Sequence, residues 1–261
     1  MSSISEQSVA EYFDIPLRWS ITAQPGFVCG IEYEIENISS YSSGFLEGSG
    51  IHVTSDHSLR NNGAEFITNP GTKEQQLHML KALKSTLVLK PNGEAFAERT
   101  SVHVHVNMRP LTLRQVKQFL FLYVLAEPFL FKCVGDERKN SIFCTPLQHT
   151  YLPKSYKKDL PSLVSMWHKY TAFNLCPLAS IGTIEFRHMF GTINENIINQ
   201  WLSILEGMYN YVIKEDANVL REVMLGNTKT ILKESIPFDV FSIINDQDLI
   251  NPIIDLKLTT V

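Results

Sequence analysis

Ser101-Val-His-Val-His-Val-Asn107 alternates polar and apolar residues without interruption. Side chains two apart on a strand share a face. This segment therefore sends Val102, Val104 and Val106 one way and Ser101, His103, His105 and Asn107 the other. Valines against a core are ordinary. Two imidazoles side by side on the opposite face are either a wet sheet surface or a pair of candidate metal ligands.

The same division recurs on two other segments. From Phe27 to Ile38, Phe27, Cys29, Ile31, Tyr33 and Ile35 share one face, and Glu32, Glu34 and Glu36 share the other. In Gly182-Thr-Ile-Glu-Phe-Arg-His-Met189, Ile184, Phe186 and His188 separate from Thr183, Glu185 and Arg187. Along a strand, i and i+2 side chains stand roughly 6–7 Å apart, close enough to serve one ion or two neighbouring ions. Each pattern also has a plain structural reading. A Glu-x-Glu-x-Glu strand can be the solvated face of an antiparallel sheet, and an Arg two residues after a Glu can be its ion-pair partner. A curved sheet that gathered all three faces into one concavity would favour the metal reading. Carboxylates with few histidines suit Mg²⁺ or Mn²⁺ better than a structural zinc. Asp56 and Glu65 add two further acids across a turn, where a surface hairpin is the simpler account.

Between these strands lie the helices. Thr72-Lys-Glu-Gln75 has the form of a capping box and opens a helix bearing Leu77, Leu80, Leu83 and Leu87. A long apolar helix is expected from about 112 to 134, kinked or broken near Pro128 and ended by Gly135. Asn194 is placed to cap a third, with Ile198, Trp201, Leu205, Met208 and Val212 as its apolar stripe. Ser39 to Gly50 reads as turns, and Arg60-Asn-Asn-Gly63 as a hairpin turn between two short strands. One or two helices beyond Ala217 are expected to pack outside the sheet. The organisation is read as a lead-in at 1–26, a main domain at 27–215 and a helical appendage at 216–261. Strands interrupted by a few long helices, without regular βαβ repetition, indicate an α+β fold on a largely antiparallel sheet.

Bulk properties exclude several classes. The 261 residues are 44% apolar and 19% charged, which is a globular composition, and the net charge of −4 leaves no basic footprint for nucleic acid. The longest apolar run, Phe119 to Ala126, is too short to span a bilayer, and the amino-terminal MSSISEQSVAEYFD is unlike a signal peptide. Cys29, Cys133, Cys144 and Cys176 are too scattered for a zinc site and read as reduced thiols, so a cytoplasmic location is expected. Gly48-Ser-Gly50 lacks the spacing of a phosphate loop, so any nucleotide must be held through metals and arginines. His52, His57, His149 and His168 receive no role, and Trp167 and Trp201 are assigned to the core.

Taken in order, Gly30-Ile-Glu-Tyr-Glu34, Asp56-His-Ser-Leu59, Ala64-Glu-Phe-Ile-Thr-Asn-Pro70, His103-Val-His105, Tyr170-Thr-Ala-Phe-Asn174 and Thr183-Ile-Glu-Phe-Arg187 resemble the amidoligases. These are carboxylate–amine ligases with a catalytic domain of glutamine-synthetase or glutamate–cysteine-ligase type. The resemblance covers about 27 to 215. It implies a curved, mostly antiparallel sheet with ATP and two or more Mg²⁺ or Mn²⁺ ions on its concave face and helices on its convex side. It makes Glu32, Glu34, Glu65, His103 and Glu185 metal ligands and brings Arg187 to the transferring phosphate. It sets His105 near the nucleotide, and Asp56 and Asn174 near the acceptor substrate or a metal. Lys169 stands where such families often carry arginine, and the separate amino-terminal domain of glutamine synthetases is not expected.

The implied reaction joins an acid and an amine, small molecules or peptides, through an acyl phosphate. Divalent ions and Arg187 would neutralise the crowded anions, with Asp56 as a candidate base. Two other readings compete. His-x-His on a strand also opens the metal site of hydrolase barrels, which need eight βα units. A ligase fold can also persist as a binding protein without turnover.

Overall fold

The computed structural model describes residues 4–260. Its helices are α1 (Val9–Tyr12), α2 (Ser43–Gly48), α3 (Lys73–Thr86), α4 (Leu113–Val134), α5 (Leu160–Met166), α6 (Leu178–Ile181), α7 (Glu195–Val212), α8 (Val219–Met224), α9 (Thr228–Ser235) and α10 (Asp246–Lys257). Its strands are β1 (Cys29–Ile35), β2 (Ile38–Ser40), β3 (Ile51–Thr54), β4 (Ala64–Thr68), β5 (Val88–Leu89), β6 (Ser101–Asn107), β7 (Phe173–Asn174) and β8 (Thr183–Phe190). Six strands form one antiparallel sheet in the order β3-β4-β1-β6-β8-β7, and β2 pairs with β5 apart from it. This is an α+β fold. Among the described residues there is no eightfold βα barrel, so the architecture required by the His-x-His hydrolase reading is absent.

β1 and β6 lie at the centre of the sheet, and their alternation sorts its two faces. Ile31, Tyr33, Ile35, Val102, Val104 and Val106 are essentially inaccessible and meet a layer built from α3, α4 and α7. Thr72 and Thr112 both form complete capping boxes, with Gln75 and Gln115, each worth about 1 kcal/mol at a helix start. On α3 the buried positions are Gln76, Met79, Leu80 and Leu83, while Leu77 is only half-buried and Leu87 caps the end. Gln76 has no solvent exposure because its amide is fully used. It donates to the carbonyl oxygens of Cys29 and Asn69 and accepts from Thr68 Oγ1, tying α3 to β1 and β4.

Several local readings change. Helix α4 runs unbroken through Pro128, whose neighbours Glu127 and Phe129 are buried, so packing on both sides holds the helix through the missing N–H. The Ser39–Gly50 segment contains α2, which buries only Leu46 and so carries a weak sequence signal. Asn61 and Asn62 do adopt positive φ (53° and 66°) as an Asn-Asn turn would, but the turn belongs to a longer loop between β3 and β4. Three helices follow Ala217, and they pack on α4 and α7, not on the sheet. The amino-terminal residues lie against the main body. Val9 N donates to Leu111 O, and Thr22 O accepts from Asn107 Nδ2 at 2.9 Å. No helix among the described residues is long and apolar enough to cross a membrane.

One polar chain crosses the apolar layer. Tyr123 Oη on α4 donates to Glu127 Oε1 (2.7 Å) and lies 2.9 Å from His188 Nε2 on β8, while the backbone N–H groups of Leu147 and Gln148 also donate to Glu127. Burial drives the His188 imidazole down to about 3, and burial lifts the Glu127 carboxyl to about 7. The two groups oppose each other in pH linkage. His188 accepts a proton only when unfolded, so its contribution to stability is lost as pH falls below about 6.5. Glu127 holds a proton better when folded, so its contribution grows as pH falls from about 7 toward 4.5. Glu127→Gln should therefore make stability, followed by urea denaturation, decline more steeply between pH 7 and 4.5 than in the parent. A shallower decline would contradict this assignment. Tyr123→Phe should cost about 1–3 kcal/mol at neutral pH by stranding buried partners.

Candidate functional site

The opposite face of the sheet carries the acids and histidines. Register does the gathering: Glu34 stands across from Glu65, Glu32 from His103, His105 from Glu185, and Asn174 from Glu185. On the central strands the residues keep the alternation read from the sequence. Glu36 does not join them. It lies past the end of β1, where it accepts from Arg60 N at 2.7 Å and pairs with Arg99 at 3.9 Å.

Two clusters result. Glu32, His103 and Glu185 each bring a ligand atom, and these atoms lie within 4.8 Å of one another. Glu34, Asp56 and Glu65 do the same beside them. The first cluster is held from behind. Asn174 Nδ2 donates to Glu185 Oε2 at 2.7 Å, and Asn174 Oδ1 accepts from Cys176 N, which fixes the amide's orientation. Asn174 thus touches Glu185 directly. In the second cluster Thr54 Oγ1 donates to Glu65 Oε2 (3.0 Å), and Asp56 Oδ1 accepts from Ser58 N (2.7 Å).

Ser101 links the clusters, and the strand reading gave it no role. Its N and Oγ both donate to Glu34 Oε2, at 2.8 and 2.6 Å, and its Oγ lies 2.7 Å from His103 Nε2. With the hydroxyl proton on Glu34, Nε2 is a donor to Ser101 Oγ. Its Nδ1 faces Glu32 Oε2 and Glu185 Oε1, each 3.3 Å away. A proton on Nδ1, or a cation in its place, satisfies these carboxylates. A buried histidine donating its other N–H to a fixed oxygen is also the arrangement of a metal-ligating imidazole. The donor sets, carboxylates with one imidazole, fit Mg²⁺ or Mn²⁺.

Electrostatics follow from the crowding. Burial pushes the Glu65 carboxyl up to about 7, and the neighbouring charges of Glu32 and Glu34 add to it. Burial acts the same way on Glu32, but hydrogen bonds from His103 and His105 outweigh it and hold that carboxyl far below the usual range. His105 sits 3.1 Å from Glu32 Oε1 and 3.0 Å from Thr183 Oγ1. Burial lowers its affinity for a proton, yet the Glu32 and Glu185 carboxylates raise it overall.

Arg187 lies at the edge of the first cluster. Its Nη1 pairs with Glu185 Oε1, and its Nε donates to Phe143 O at 3.0 Å. The ion pair anticipated as its plain structural reading is present. The arginine also has a device behind it. Val102 pairs with Met189 but Val104 with Phe186, so β8 fits one extra residue opposite His103. This bulge would strand backbone carbonyls. Arg138, buried in a short turn of helix, donates to the carbonyls of His188 (2.9 Å) and Arg187 (3.1 Å). Nothing in the spacing of Arg138 marks that role.

Beside Glu32 and His105 opens a cavity of about 360 Å³, a volume suited to a small ligand. Gly30, paired with His105, presents no side chain to its floor, and His52, given no role in the sequence, stands on its wall. Trp167 and Trp201 are buried as expected, and all four cysteines are free.

No curated protein matches the chain. One solved structure, titled as a novel glutamine synthase homolog, is 12% identical with a TM-score of 0.40; the match covers 89% of this chain and 65% of that one. The chain thus spans less than two thirds of that protein's length. A family model described as "Putative amidoligase enzyme" matches residues 49–208, from the start of the β3 hairpin into α7, and so takes in Asp56, Glu65, both histidines of β6, Glu185 and Arg187. That match covers more than half of the 261 residues, and the chain belongs to this amidoligase family.

Proposed function

We propose that the protein is an ATP-dependent carbon–nitrogen ligase that joins a carboxylate to an amine through an acyl phosphate. The observation that carries this reading is the pair of adjoining acid clusters on one sheet face, with Arg187 on the rim of one of them. A carboxylate is a poor electrophile, and bringing one to a triphosphate concentrates negative charge that must be offset. Glu32, His103 and Glu185 would hold one divalent ion, and Glu34, Asp56 and Glu65 another. Bound there, the ions would screen the phosphates and the incoming carboxylate.

The chain's own residues supply the rest. Ser101 and Asn174 orient His103 and Glu185 so that the clusters do not rearrange as charge moves. His105, beside Glu32 on the wall of the cavity, is placed to contact the nucleotide. Arg187 has donors beyond the one engaged with Glu185, and these can follow charge onto the transferring phosphoryl group. Among the acids, Asp56 is half-exposed and can take the proton released when the amine attacks the acyl phosphate, its carbon–nitrogen bond forming as the carbon–oxygen bond to phosphate breaks.

The direct test is incubation with ATP, Mg²⁺ and a mixed amine and amino-acid library, read by mass spectrometry for dehydrative products alongside phosphate release. ATP hydrolysis tied to such a product supports ligation; product formation without ATP use would overturn it. Calorimetry should show ATP binding with Mg²⁺ or Mn²⁺ and little in excess chelator, and equal affinity in both would remove the metal cradle. Manganese titration should find His103→Ala weakened by roughly ten- to a hundredfold and His168→Ala unchanged. Arg187→Lys keeps the charge but not the planar donor fork. It should retain ATP affinity while losing roughly a hundred- to a thousandfold in rate, about 3–4 kcal/mol of transition-state stabilisation. A parallel loss of melting temperature and activity would instead make Arg187 only the partner of Glu185.

A further inference from the structure

The cavity beside Glu32 and His105 has a second charged end. Beyond Asn107 the chain of β6 continues to Arg109, which also lines the cavity and is only 9% exposed. Its Nη1 donates to Asn107 Oδ1 at 3.2 Å, but its Nε is buried without a hydrogen-bond partner. Arg18, exposed on the same cavity wall, is its neighbour, and the two like charges disfavour each other. Among the described residues no carboxylate lies within ion-pair distance of either arginine. A buried guanidinium facing a second cation with no counter-charge is costly, and proteins rarely retain one without a partner.

The local backbone is arranged to keep Arg109 there. Gly182, at φ +68°, ends α6, and a Cβ at that position would stand 2.4 Å from Arg109 Cγ. Asn107 is itself fixed by donating to Thr22 O. The side chain is thus seated against a glycine and braced by an amide: Nε packs over Gly182, and Nη2, which makes no hydrogen bond among the described residues, is the donor left for a ligand. His103 and Asn107 are four residues apart on one strand, roughly 13 Å, so the arginine pair lies well outside the acid clusters.

We infer that Arg109 and Arg18 form an oxyanion subsite at the outer end of this cavity. The ligand that fills the cavity would carry a phosphate or carboxylate group there, at a distance from the atoms that react near Glu32. The inference adjoins the ligase reading but does not require turnover. A phosphate at this subsite would make it part of nucleotide or phosphorylated-substrate recognition. A carboxylate would make it the specificity element for an acid with two anionic ends.

The test is calorimetry on the full chain in excess chelator, so that the acid clusters hold no divalent ion. The probes are inorganic phosphate, pyrophosphate and ATP in one arm, and succinate and glutarate in the other. At least one probe should bind the parent, and Arg109→Met should weaken it by about ten- to a hundredfold, the range for losing a charge-assisted contact. Arg18→Ala should weaken it less, and Arg114→Met, at the pair with Glu6 outside this cavity, should leave it unchanged. The arm that binds names the source of the anion. Absence of binding by every probe, or equal affinity in the parent and Arg109→Met, would overturn the subsite. Should Arg109→Met fail to fold by circular dichroism, unchanged binding in the exposed Arg18→Ala variant would overturn it equally. Loss of Mg²⁺-dependent ATP binding alongside retained, Arg109-dependent anion binding would retire the ligase reading and leave the subsite standing.

Discussion

Mutual repulsion among acids sets the terms for the polar face of this sheet. Glu32, Glu34, Asp56, Glu65 and Glu185 converge within two clusters, and burial strengthens the repulsion by withdrawing solvent. The molecule relieves it in several ways at once. Glu32 draws on two imidazoles, Glu34 on both donors of Ser101, Glu185 on Asn174 and Arg187, and Glu65 is left with Thr54 and a carboxyl raised to about 7. Such an arrangement costs stability in the free protein, and cations would remove that cost. Were divalent ions bound there, relief of this repulsion would contribute to their affinity.

The opposite face supplies the rigidity this needs. The valines of β6 and the isoleucines of β1 seat the sheet on α3, α4 and α7, and no strand can slip by one residue without turning acids into the core. Where β8 departs from regular pairing, Arg138 closes the open carbonyls, and His188, Tyr123 and Glu127 tie the bulged strand to α4. Arg187 and Glu185 are thus presented by a strand anchored from behind by buried hydrogen bonds. Precision at the polar face depends on packing and hydrogen bonding at the apolar one.

The two ends of the cavity differ in the same currency. At the Glu32 end negative charge is in excess, and at the Arg109 end positive charge is. A ligand lying between them would meet opposite fields at its two ends, which fixes its direction in the site before any specific contact is made. Gly30 on the floor and Gly182 beneath Arg109 leave the space for this by omission of side chains.

Alternation alone placed Glu32, Glu34, His103, His105, Glu185 and Arg187 on one side of a sheet, because the strand period is two and each of those segments keeps it. The capping box at Thr72 and the stripe of α7 were equally plain, since caps and helical faces are local. Distance between segments is not local. That Glu34 meets Glu65, that Asp56 joins them from a loop, and that Ser101 bridges the clusters follow from register, which only the assembled sheet determines. Arg138 and Arg109 carry no periodic signature at all. Their work is to satisfy, or to await, partners far along the chain, and tertiary packing alone decides which buried donors are left over.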